Sequence, residues 1–506
     1  MRYGFVIDHR RCIGCHACTV ACKEENQVPL GAFRTWVKYV EKGAFPHTRR
    51  YFSVLRCNHC DNAPCVAICP TVALYRRPDG IVDFDGARCI GCKSCMQGCP
   101  YDALYIDPNT NTAAKCHYCA HRLEVGLEPA CVIVCPERAI IAGDLDAPAS
   151  PIARLVAREQ VEMRKPEQGT RPKVFYVGAD SSALTPSLQA PAPAYLWGQR
   201  SEGEVDLVRM AAAVQALEPA GDGALSRPVY DAPHAPRPWG WKVSAYLWTK
   251  SISAGALMMA ALDRVMQLAR GDALFDTAAA MVALIFLALT MGLLVWDLKR
   301  PDRFHFVLLK PQWRSWLVRG AFILLAYGVV AVLWLLLPAA HHRLLVVPAL
   351  VLAAGAAGYS AFLFGQAEGR DFWQSPLLLP HLIVAALIGG AASLVLVGTL
   401  TGASDTAVLS MAGFLAVALI LHGGLLFAEL GVTHANTDVA RAARLITRGA
   451  YRTRFWGVSV VVGVLLAFVA IVLVPGGMVI GALLALAGLW VYEDVWVRAG
   501  QSVPLS

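Results

Sequence analysis

The distribution of cysteine limits what this chain can fold into more than any other feature of its sequence. All sixteen cysteines of the 506 residues lie between Cys12 and Cys135, and the long remainder contains none. They form four groups of four: Cys12, Cys15, Cys18 and Cys22; Cys57, Cys60, Cys65 and Cys69; Cys89, Cys92, Cys95 and Cys99; and Cys116, Cys119, Cys131 and Cys135. Two physically different parts are therefore joined in one chain.

The spacing inside the groups is typical of iron–sulfur ligands. The first and third groups read C-x2-C-x2-C-x3-C, and a glycine, Gly14 or Gly91, stands where the backbone would wrap closely around sulfide. Three thiolates on such a loop reach three irons of one cubane, and the fourth, which we expect to begin a helical turn, points toward a neighbouring cluster. Zinc sites with four cysteines are the alternative, but structural zinc usually takes two cysteine pairs from separate loops. The sixteen ligands predict four [4Fe–4S] clusters and no zinc, and the spacing leaves open which groups pair.

The composition of the whole chain indicates that the cysteine-free remainder includes a membrane domain. Hydrophobic residues make up 56% of the chain and charged residues 16%, against about 45–50% and about 25% in ordinary soluble domains. Eight apolar segments of near-membrane length follow one another, at 243–268, 273–297, 320–337, 344–365, 377–399, 406–430, 455–474 and 478–495. A buried helix of a soluble protein explains one such segment but not eight in succession.

We therefore expect three regions. Residues 1–180 form the cysteine-bearing domain, residues 181–238 form a linker rich in Ala, Pro, Gly and Ser, and residues 239–506 form an all-α bundle of about eight transmembrane helices. The net charge of +8 comes without an interleaved basic and aromatic patch, so we expect membrane lipid rather than nucleic acid as a partner.

The charged loops between the apolar segments predict the orientation in the membrane. Thirteen Lys and Arg residues fall on the side that holds the cysteine domain: Lys299, Arg300, Arg303, Lys310, Arg314, Arg319, Arg370, Arg441, Arg444, Arg448, Arg452, Arg454 and Arg498. Three fall on the other side: Arg264, Arg270 and Arg343. Because positive loops stay cytoplasmic and no apolar signal core precedes Cys12, we expect the cysteine domain on the cytoplasmic face of a bacterial inner membrane. The alternatives are that these residues dock the cysteine domain or a partner, or that a signal-bearing partner carries the domain across.

Residues 1 to about 180 resemble a known family. The stretches RCIGCHACTVACKEEN, RCNHCDNAPCVAICP, RCIGCKSCMQGCPY and KCHYCAHRLEVGLEPACVIVCPERA are similar to the four-cluster iron–sulfur subunits that accompany molybdopterin enzymes of the dimethyl sulfoxide reductase family. The resemblance implies an α+β ferredoxin-like domain of two dicluster modules and a molybdopterin-containing catalytic partner. It also implies four ligand sets: Cys12, Cys15, Cys18 and Cys135; Cys116, Cys119, Cys131 and Cys22; Cys57, Cys60, Cys65 and Cys99; and Cys89, Cys92, Cys95 and Cys69.

The membrane part resembles a second family. WGWKVSAYLWTKSISAG, LKRPDRFHFVLLKPQWRSWLVRGA and WVRAGQS are similar to the NrfD-like membrane subunits of polysulfide reductase, which are quinone-reactive anchors of eight or nine helices. Most relatives keep the two parts as separate subunits, whereas this chain fuses them. The resemblance implies a membrane quinone or quinol as the substrate of this part.

Polar residues inside the apolar segments are candidates for a quinone site, because ionisable groups are costly in a membrane. The candidates are Tyr246, Lys250, Tyr359, His381, His422 and Glu429. Counting crossings places all of them in the membrane half nearer the cysteine domain; the other half is nearly featureless apart from Asp263 and Arg264 at its edge. As alternatives, Lys250 snorkels or pairs with Glu429, the histidines only join helices, or they hold haem b.

Together these features predict an electron-transfer and membrane-anchor subunit of a molybdopterin-type oxidoreductase, which passes electrons between a catalytic partner and the quinone pool. The chain has neither a G-x-G-x-x-G loop nor a P-loop, so chemistry on the terminal substrate is expected on the partner. A redox-driven ion pump and a passive anchor that serves a soluble carrier are the alternatives. The terminal substrate (sulfite, polysulfide, tetrathionate, thiosulfate, dimethyl sulfoxide or formate), the direction of electron flow, the quinone type and the oligomeric state are left open.

Overall fold

The computed structural model describes residues 1–43, 46–189, 226–232, 238–268, 271–431, 434 and 436–506. Contacts divide the chain into two compact units. The first unit contains Met1–Pro238, Ala367–Gly369 and Pro504–Ser506, and the second contains Trp239–Gln366 and Arg370–Val503.

The first unit is built on short strands. They are β1 (Tyr3–Asp8), β2 (Thr35–Lys42), β3 (Arg49–Arg56), β4 (Leu74–Arg76), β5 (Val82–Phe84), β6 (Leu104–Ile106), β7 (Ala113–Lys115), β8 (Ile140–Asp144), β9 (Val161–Glu162), β10 (Val174–Val177) and β11 (Ser226–Tyr230). One sheet has the order β8-β1-β10-β9, a second has the order β11-β2-β3, and β4-β5 and β6-β7 are hairpins. The apolar and β-branched residues of β1 are buried on both faces of the strand, which makes β1 the centre of the core.

The first unit also has short helices, and five of the sixteen cysteines lie on them. They are α1 (Ala17–Glu25), α2 (Pro64–Ile68), α3 (Ser94–Gly98), α4 (Ala120–Leu123), α5 (Ala130–Ile133), α6 (Pro151–Arg158) and α7 (Ser181–Leu184). The expected α+β class is confirmed. The expectation that the fourth cysteine of a group begins a helical turn is wrong, because Cys69 and Cys99 directly follow α2 and α3 and Cys22 lies in the second half of α1. In the groups that end at Cys69 and Cys99, the third cysteine lies on the short helix, and the fourth cysteine follows the last residue of that helix.

The segment expected to be a linker is partly described. Its described residues include α7 and β11, and β11 pairs antiparallel with β2. Residues 190–225 and 233–237 lie outside the described part of the chain. The linker over 181–238 and the two domain limits that it sets stay predictions.

The second unit is helical throughout its long elements. Its helices are α8 (Trp241–Met266), α9 (Leu274–Asp297), α10 (Phe306–Leu309), α11 (Trp316–Leu336), α12 (His342–Gly365), α13 (Leu378–Thr401), α14 (Asp405–Leu430), α15 (Thr437–Thr447), α16 (Arg454–Leu473) and α17 (Met478–Gly500). Within the described residues, seven helices are long and apolar enough to cross a membrane. The first expected segment forms α8, which has the length for a span but carries four charged residues. The expected bundle of about eight helices is confirmed.

Glycines let neighbouring helices of the bundle approach closely. A Cβ atom on Gly255 of α8 would overlap the backbone of α13 at Ala386 and Gly390, and a Cβ on Gly463 of α16 would overlap Gly488 of α17. Small residues at such crossings bring backbones together, because helix association in lipid depends on close packing. The Gly255 crossing holds the helix of Lys250 against the helix of His381.

Candidate functional site

Four cavities in the first unit are each lined by four cysteines. The cysteines that line them are Cys12, Cys15, Cys18 and Cys135; Cys22, Cys116, Cys119 and Cys131; Cys57, Cys60, Cys65 and Cys99; and Cys69, Cys89, Cys92 and Cys95. Each cavity takes three cysteines from one group and the fourth from another, and these sets are the ones that the family resemblance implies. Ligation by the individual cysteines stays a prediction.

Backbone conformation explains the two glycines of the cysteine loops. Gly14 has a φ of +70° and Gly91 a φ of +69°, which is a left-handed backbone conformation that favours glycine over other residues. A Cβ atom on Gly14 would also overlap the ring of Phe52. The loops therefore need glycine to curl around their cavities, as the sequence indicates.

Backbone N–H groups point at the sulfur atoms that line the cavities. The amide of Ala139 donates to Cys135 Sγ at 3.2 Å, that of Gly91 donates to Cys89 Sγ at 3.4 Å, and that of His59 approaches Cys57 Sγ at 3.5 Å. Such donors stabilise negative charge on sulfur and tune the potential of a bound cluster. These loops are thus suited to thiolates rather than to neutral thiols.

Because most of the cysteines are buried, their thiols need a nearby positive charge to lose the proton. Burial raises the pKa of the Cys116 thiol to about 12 and that of Cys99 to about 11. A coordinated metal deprotonates a thiol outright because it supplies the missing positive charge. The donor set of four cysteine sulfurs around one cavity, with N–H groups aimed at some of them, fits a [4Fe–4S] cluster.

The four cavities differ in their access to solvent. Cys15 is exposed and Cys12 and Cys135 are half-buried, whereas the cysteines of the set with Cys57 are all buried. The set of Cys12, Cys15, Cys18 and Cys135 is therefore the one whose cysteines are most exposed.

In the second unit, Lys250 lies at the centre of one buried polar cluster. Its Nζ donates to the carbonyl of Ala357 at 2.7 Å and to Ser360 Oγ at 2.8 Å, and it lies 4.9 Å from the ring centre of Tyr359. The Tyr246 hydroxyl is 2.6 Å from the same Ser360 Oγ. We call these five residues the lysine cluster. It joins α8 to α12 and holds the Lys250 amine away from water.

His381 lies at the centre of a second buried cluster. Its Nε2 is 3.1 Å from Glu429 Oε2, and its Nδ1 is 3.2 Å from the hydroxyl of Tyr492. His422 packs edge-on against both rings, with ring centres 5.9 Å from His381 and 4.8 Å from Tyr492. Among the described residues, His422 Nδ1 and Glu429 Oε1 have no hydrogen-bond partner. We call these four residues the histidine cluster.

The structure therefore sorts the six predicted quinone residues into two groups. Tyr246, Lys250 and Tyr359 lie in the lysine cluster, and His381, His422 and Glu429 lie in the histidine cluster. The alternative that Lys250 pairs with Glu429 is wrong, because Glu429 pairs with His381 while Lys250 bonds to α12.

Sequence reasoning missed two residues of α17. Tyr492 belongs to the histidine cluster, and Glu493 is 3% exposed, attracts Lys250 electrostatically and accepts from Ser251 Oγ at 3.5 Å. Among the described residues, Glu493 Oε2 has no hydrogen-bond partner. A carboxylate inside the last apolar segment was the available signal, and it is of the same kind as the signal that identified Glu429.

The far ends of these helices are less featureless than expected. Arg264 of α8 forms an ion pair with Asp276 of α9, and His342 Nδ1 of α12 is 3.8 Å from Asp276 Oδ1. The ring of His342 stacks on Trp334 at 4.6 Å. The expectation overlooked these contacts because His342 lies between two of the expected segments, and the order of residues along each segment does not show that Arg264, Asp276 and His342 meet.

Comparison with known families covers both parts of the sequence. The family described as polysulphide reductase, NrfD, matches residues 232–504. A 4Fe-4S dicluster domain matches residues 48–145, and a 4Fe-4S binding domain matches residues 10–26. The protein is thus a multi-pass membrane protein with iron–sulfur binding domains.

Individual relatives are similar to less than half of the sequence. A tetrathionate reductase subunit of Salmonella typhimurium is 49% identical over 200 residues, which are 39% of this chain and 80% of the relative. A polysulfide reductase component of Wolinella succinogenes is 42% identical over 181 residues, 35% of this chain and 94% of the relative. The thiosulfate reductase electron transfer subunit of Salmonella typhi is 46% identical over 163 residues, 32% of this chain and 84% of the relative. Through its membrane domain the protein therefore belongs to the polysulphide reductase NrfD family, and it fuses to that domain an iron–sulfur part that is similar to subunits of tetrathionate and polysulfide reductases.

Proposed function

We propose that this chain carries electrons between a molybdopterin-containing catalytic partner and the quinone pool of a bacterial inner membrane, through four [4Fe–4S] clusters. The observation that carries the proposal is the division of all sixteen cysteines into four cavities of four. When bound, the clusters supply one-electron transfer. The protein's own residues bury most of the cysteines, donate N–H groups to several of the sulfurs and divide each cysteine group between two cavities.

The exchange of the fourth cysteine supports a path between clusters. Cys22 of α1 lines the cavity of Cys116, Cys119 and Cys131, while Cys18 on the same helix lines the cavity of Cys12 and Cys15. One short helix therefore contacts two neighbouring cavities. Two clusters held in such a pair of cavities would be joined by the backbone of one helix, which gives electrons a short covalent path between them.

The surface around the cavity of Cys15 supports the position of the catalytic partner. Ile13 lines this cavity and is 55% exposed, while Val20 of α1 and Ile133 of α5 are 65% and 56% exposed. Helices α1 and α5 pack against each other, and exposed apolar side chains that form a patch are typical of an interface with another protein. We infer that the catalytic subunit docks here and exchanges electrons with the most accessible cluster.

The two polar clusters of the membrane domain support the quinone site. Conversion of quinone to quinol adds two electrons and two protons, so the site needs a cation and groups that exchange protons in a low-dielectric medium. The lysine cluster supplies the cation at Lys250, and the histidine cluster supplies His381, His422 and Glu429. Lys250 is nine residues from the start of α8, and His422 eight from the end of α14, so both would lie toward the same face of an up-and-down bundle.

Iron analysis tests the number of clusters. Four clusters of four irons give about sixteen Fe per chain in anaerobically prepared protein. The alternative of zinc predicts colourless protein, because zinc has a filled d shell. A content near half of the expected iron, with stoichiometric zinc, would contradict the assignment of clusters to all four cavities.

Protease treatment tests the orientation. The excess of Lys and Arg in the loops on one side predicts that residues 1–180 face the cytoplasm. Protease added to intact spheroplasts should therefore leave these residues uncut, with a cytoplasmic enzyme as the marker of intact cells. Cleavage within residues 1–180 while the marker is protected would reverse the orientation and would favour export with a partner.

A further inference from the structure

Arg56 is a buried cation beside two of the cysteine cavities. It is the last residue of β3 and is 1% exposed. Its Nη1 donates to Cys131 Sγ at 3.1 Å, and its guanidinium lies 4.4 Å from the ring centre of Phe5. It lines the cavity of Cys22, Cys116, Cys119 and Cys131. A long charged side chain is therefore held inside the iron–sulfur domain by packing and by a sulfur.

No carboxylate within the described residues balances the charge of Arg56. Two other buried cations have such a partner, since Lys38 Nζ is 3.2 Å from Asp231 and Lys173 Nζ is 3.4 Å from Asp61. Arg56 Nε and Nη2 have no hydrogen-bond partner among the described residues. Burying an unpaired charge is strongly unfavourable, and the side-chain acceptor that Arg56 contacts is Cys131 Sγ in the cavity that it lines.

The cysteine sulfurs are the available negative groups. Arg56 interacts electrostatically with Cys131 and Cys116 of its own cavity and with Cys18 of the neighbouring cavity. Arginine keeps its proton at every physiological pH. The charge beside these sulfurs is therefore permanent and does not depend on a titration.

We propose that Arg56 raises the reduction potential of the cluster held by Cys22, Cys116, Cys119 and Cys131, and to a smaller extent that of the cluster held by Cys12, Cys15, Cys18 and Cys135. The inference rests on the proposed function, because it needs a cluster in each cavity. On reduction, a cluster gains one electron from the partner or from an added reductant and becomes more negative by one charge. A fixed cation stabilises the more negative state more than the less negative one, and Arg56 Nη1 donates to Cys131 Sγ, one of the sulfurs that would hold this cluster. Of the four cavities, Arg56 lines only that of Cys22, Cys116, Cys119 and Cys131. Its interaction with Cys18 places the cavity of Cys12 second, so the other two clusters should be affected least.

A redox titration followed by electron paramagnetic resonance tests the inference on the full-length protein. In the Arg56→Gln variant, the midpoint potential of one cluster should shift clearly downward, that of a second should shift less, and those of the remaining two should stay unchanged. The Arg56→Lys variant keeps the charge and should retain most of the natural potential. The matched control is Arg50→Gln on the same strand, since Arg50 is exposed and pairs with Glu41 at 3.1 Å; it should shift no potential.

The outcomes separate this inference from the proposed function. Wild-type protein that lacks iron in this cavity would contradict the proposed function. An Arg56→Gln variant with full iron content and four unchanged potentials would overturn only the role of Arg56. If the Gln variant loses this cluster, its retention in the Lys variant supports a requirement for the charge. Loss of the cluster in both variants would assign Arg56 to packing and overturn the inference.

Discussion

Replacement of Glu429 by Gln is expected to lower quinone-linked electron transfer by about 10²-fold or more, which is the range for removal of a group that transfers protons. Glutamine keeps the size of the side chain and can still contact His381, but it cannot take up or release a proton. The Glu429 carboxylate is 3.1 Å from His381 Nε2, and its Oε1 has no partner among the described residues. The loss should therefore appear in quinone turnover rather than in folding.

The measurement is reduction or oxidation of a soluble quinone analogue by membranes that contain the complex. The iron content is checked first, and electron transfer from the partner to the clusters should persist. Asp405→Asn is the matched control, because Asp405 is an exposed acid in the first turn of the same helix, α14. Lys250→Met and His422→Ala should lower quinone turnover as well. Wild-type quinone kinetics in all three variants would place the quinone site elsewhere and leave both clusters with a structural role.

Replacement of Cys22 by Ser is expected to damage a different cluster from replacement of Cys18 by Ser, although both residues lie on α1. Cys22 lines the cavity of Cys116, Cys119 and Cys131, whereas Cys18 lines that of Cys12 and Cys15. Each variant should lose up to about four Fe per chain, because one four-iron cluster loses a thiolate ligand. Electron transfer through the protein should fall severely in both.

Electron paramagnetic resonance shows which cluster signal each of the two variants has lost. The Cys22→Ser variant should lose the same signal as a Cys116→Ser variant, and the Cys18→Ser variant should lose the same signal as a Cys12→Ser variant. Pairs that follow the order of the sequence instead, with Cys22 and Cys12 affecting one cluster, would contradict the exchange between groups. The Thr19→Ser variant is a control on the same helix that should lose no iron, since Thr19 is not among the residues that line either cavity.

Much of the architecture was predictable from local sequence. Cysteine spacing and the two glycines at positive φ are local features, and the structure has Gly14 and Gly91 in the left-handed region. The eight apolar segments also became helices, because a backbone in lipid must satisfy its own hydrogen bonds. The fourth cysteine was predicted to begin a helical turn, but Cys69 and Cys99 instead follow the last residues of α2 and α3. Spacing alone did not show on which side of the cysteine the short helix lies, because that depends on how α2 and α3 pack.

The polar groups of the membrane domain show where local reasoning stops. The free-energy cost of an ionisable group in lipid identified Lys250, His381 and Glu429 one at a time. It did not indicate that Glu429 would pair with His381. Nor did it select Tyr492, which is an ordinary aromatic residue in sequence and gains its role from the hydrogen bond to His381 Nδ1 at 3.2 Å. Partner choice depends on helix crossings such as the one at Gly255 and Gly390, which sequence periodicity does not specify.

By itself, the sequence determined which residues can bind iron, which segments can cross a membrane and which two families are joined, because these properties follow from residue type and spacing along the chain. The tertiary structure decided how the cysteines of distant groups share four cavities, that Arg56 has sulfur rather than a carboxylate beside it, and that the buried polar residues divide into a lysine cluster and a histidine cluster. These are relations between residues far apart in sequence. They arise only when the packing of strands and helices brings the side chains within a few ångströms, where coordination, hydrogen bonding and charge interaction act.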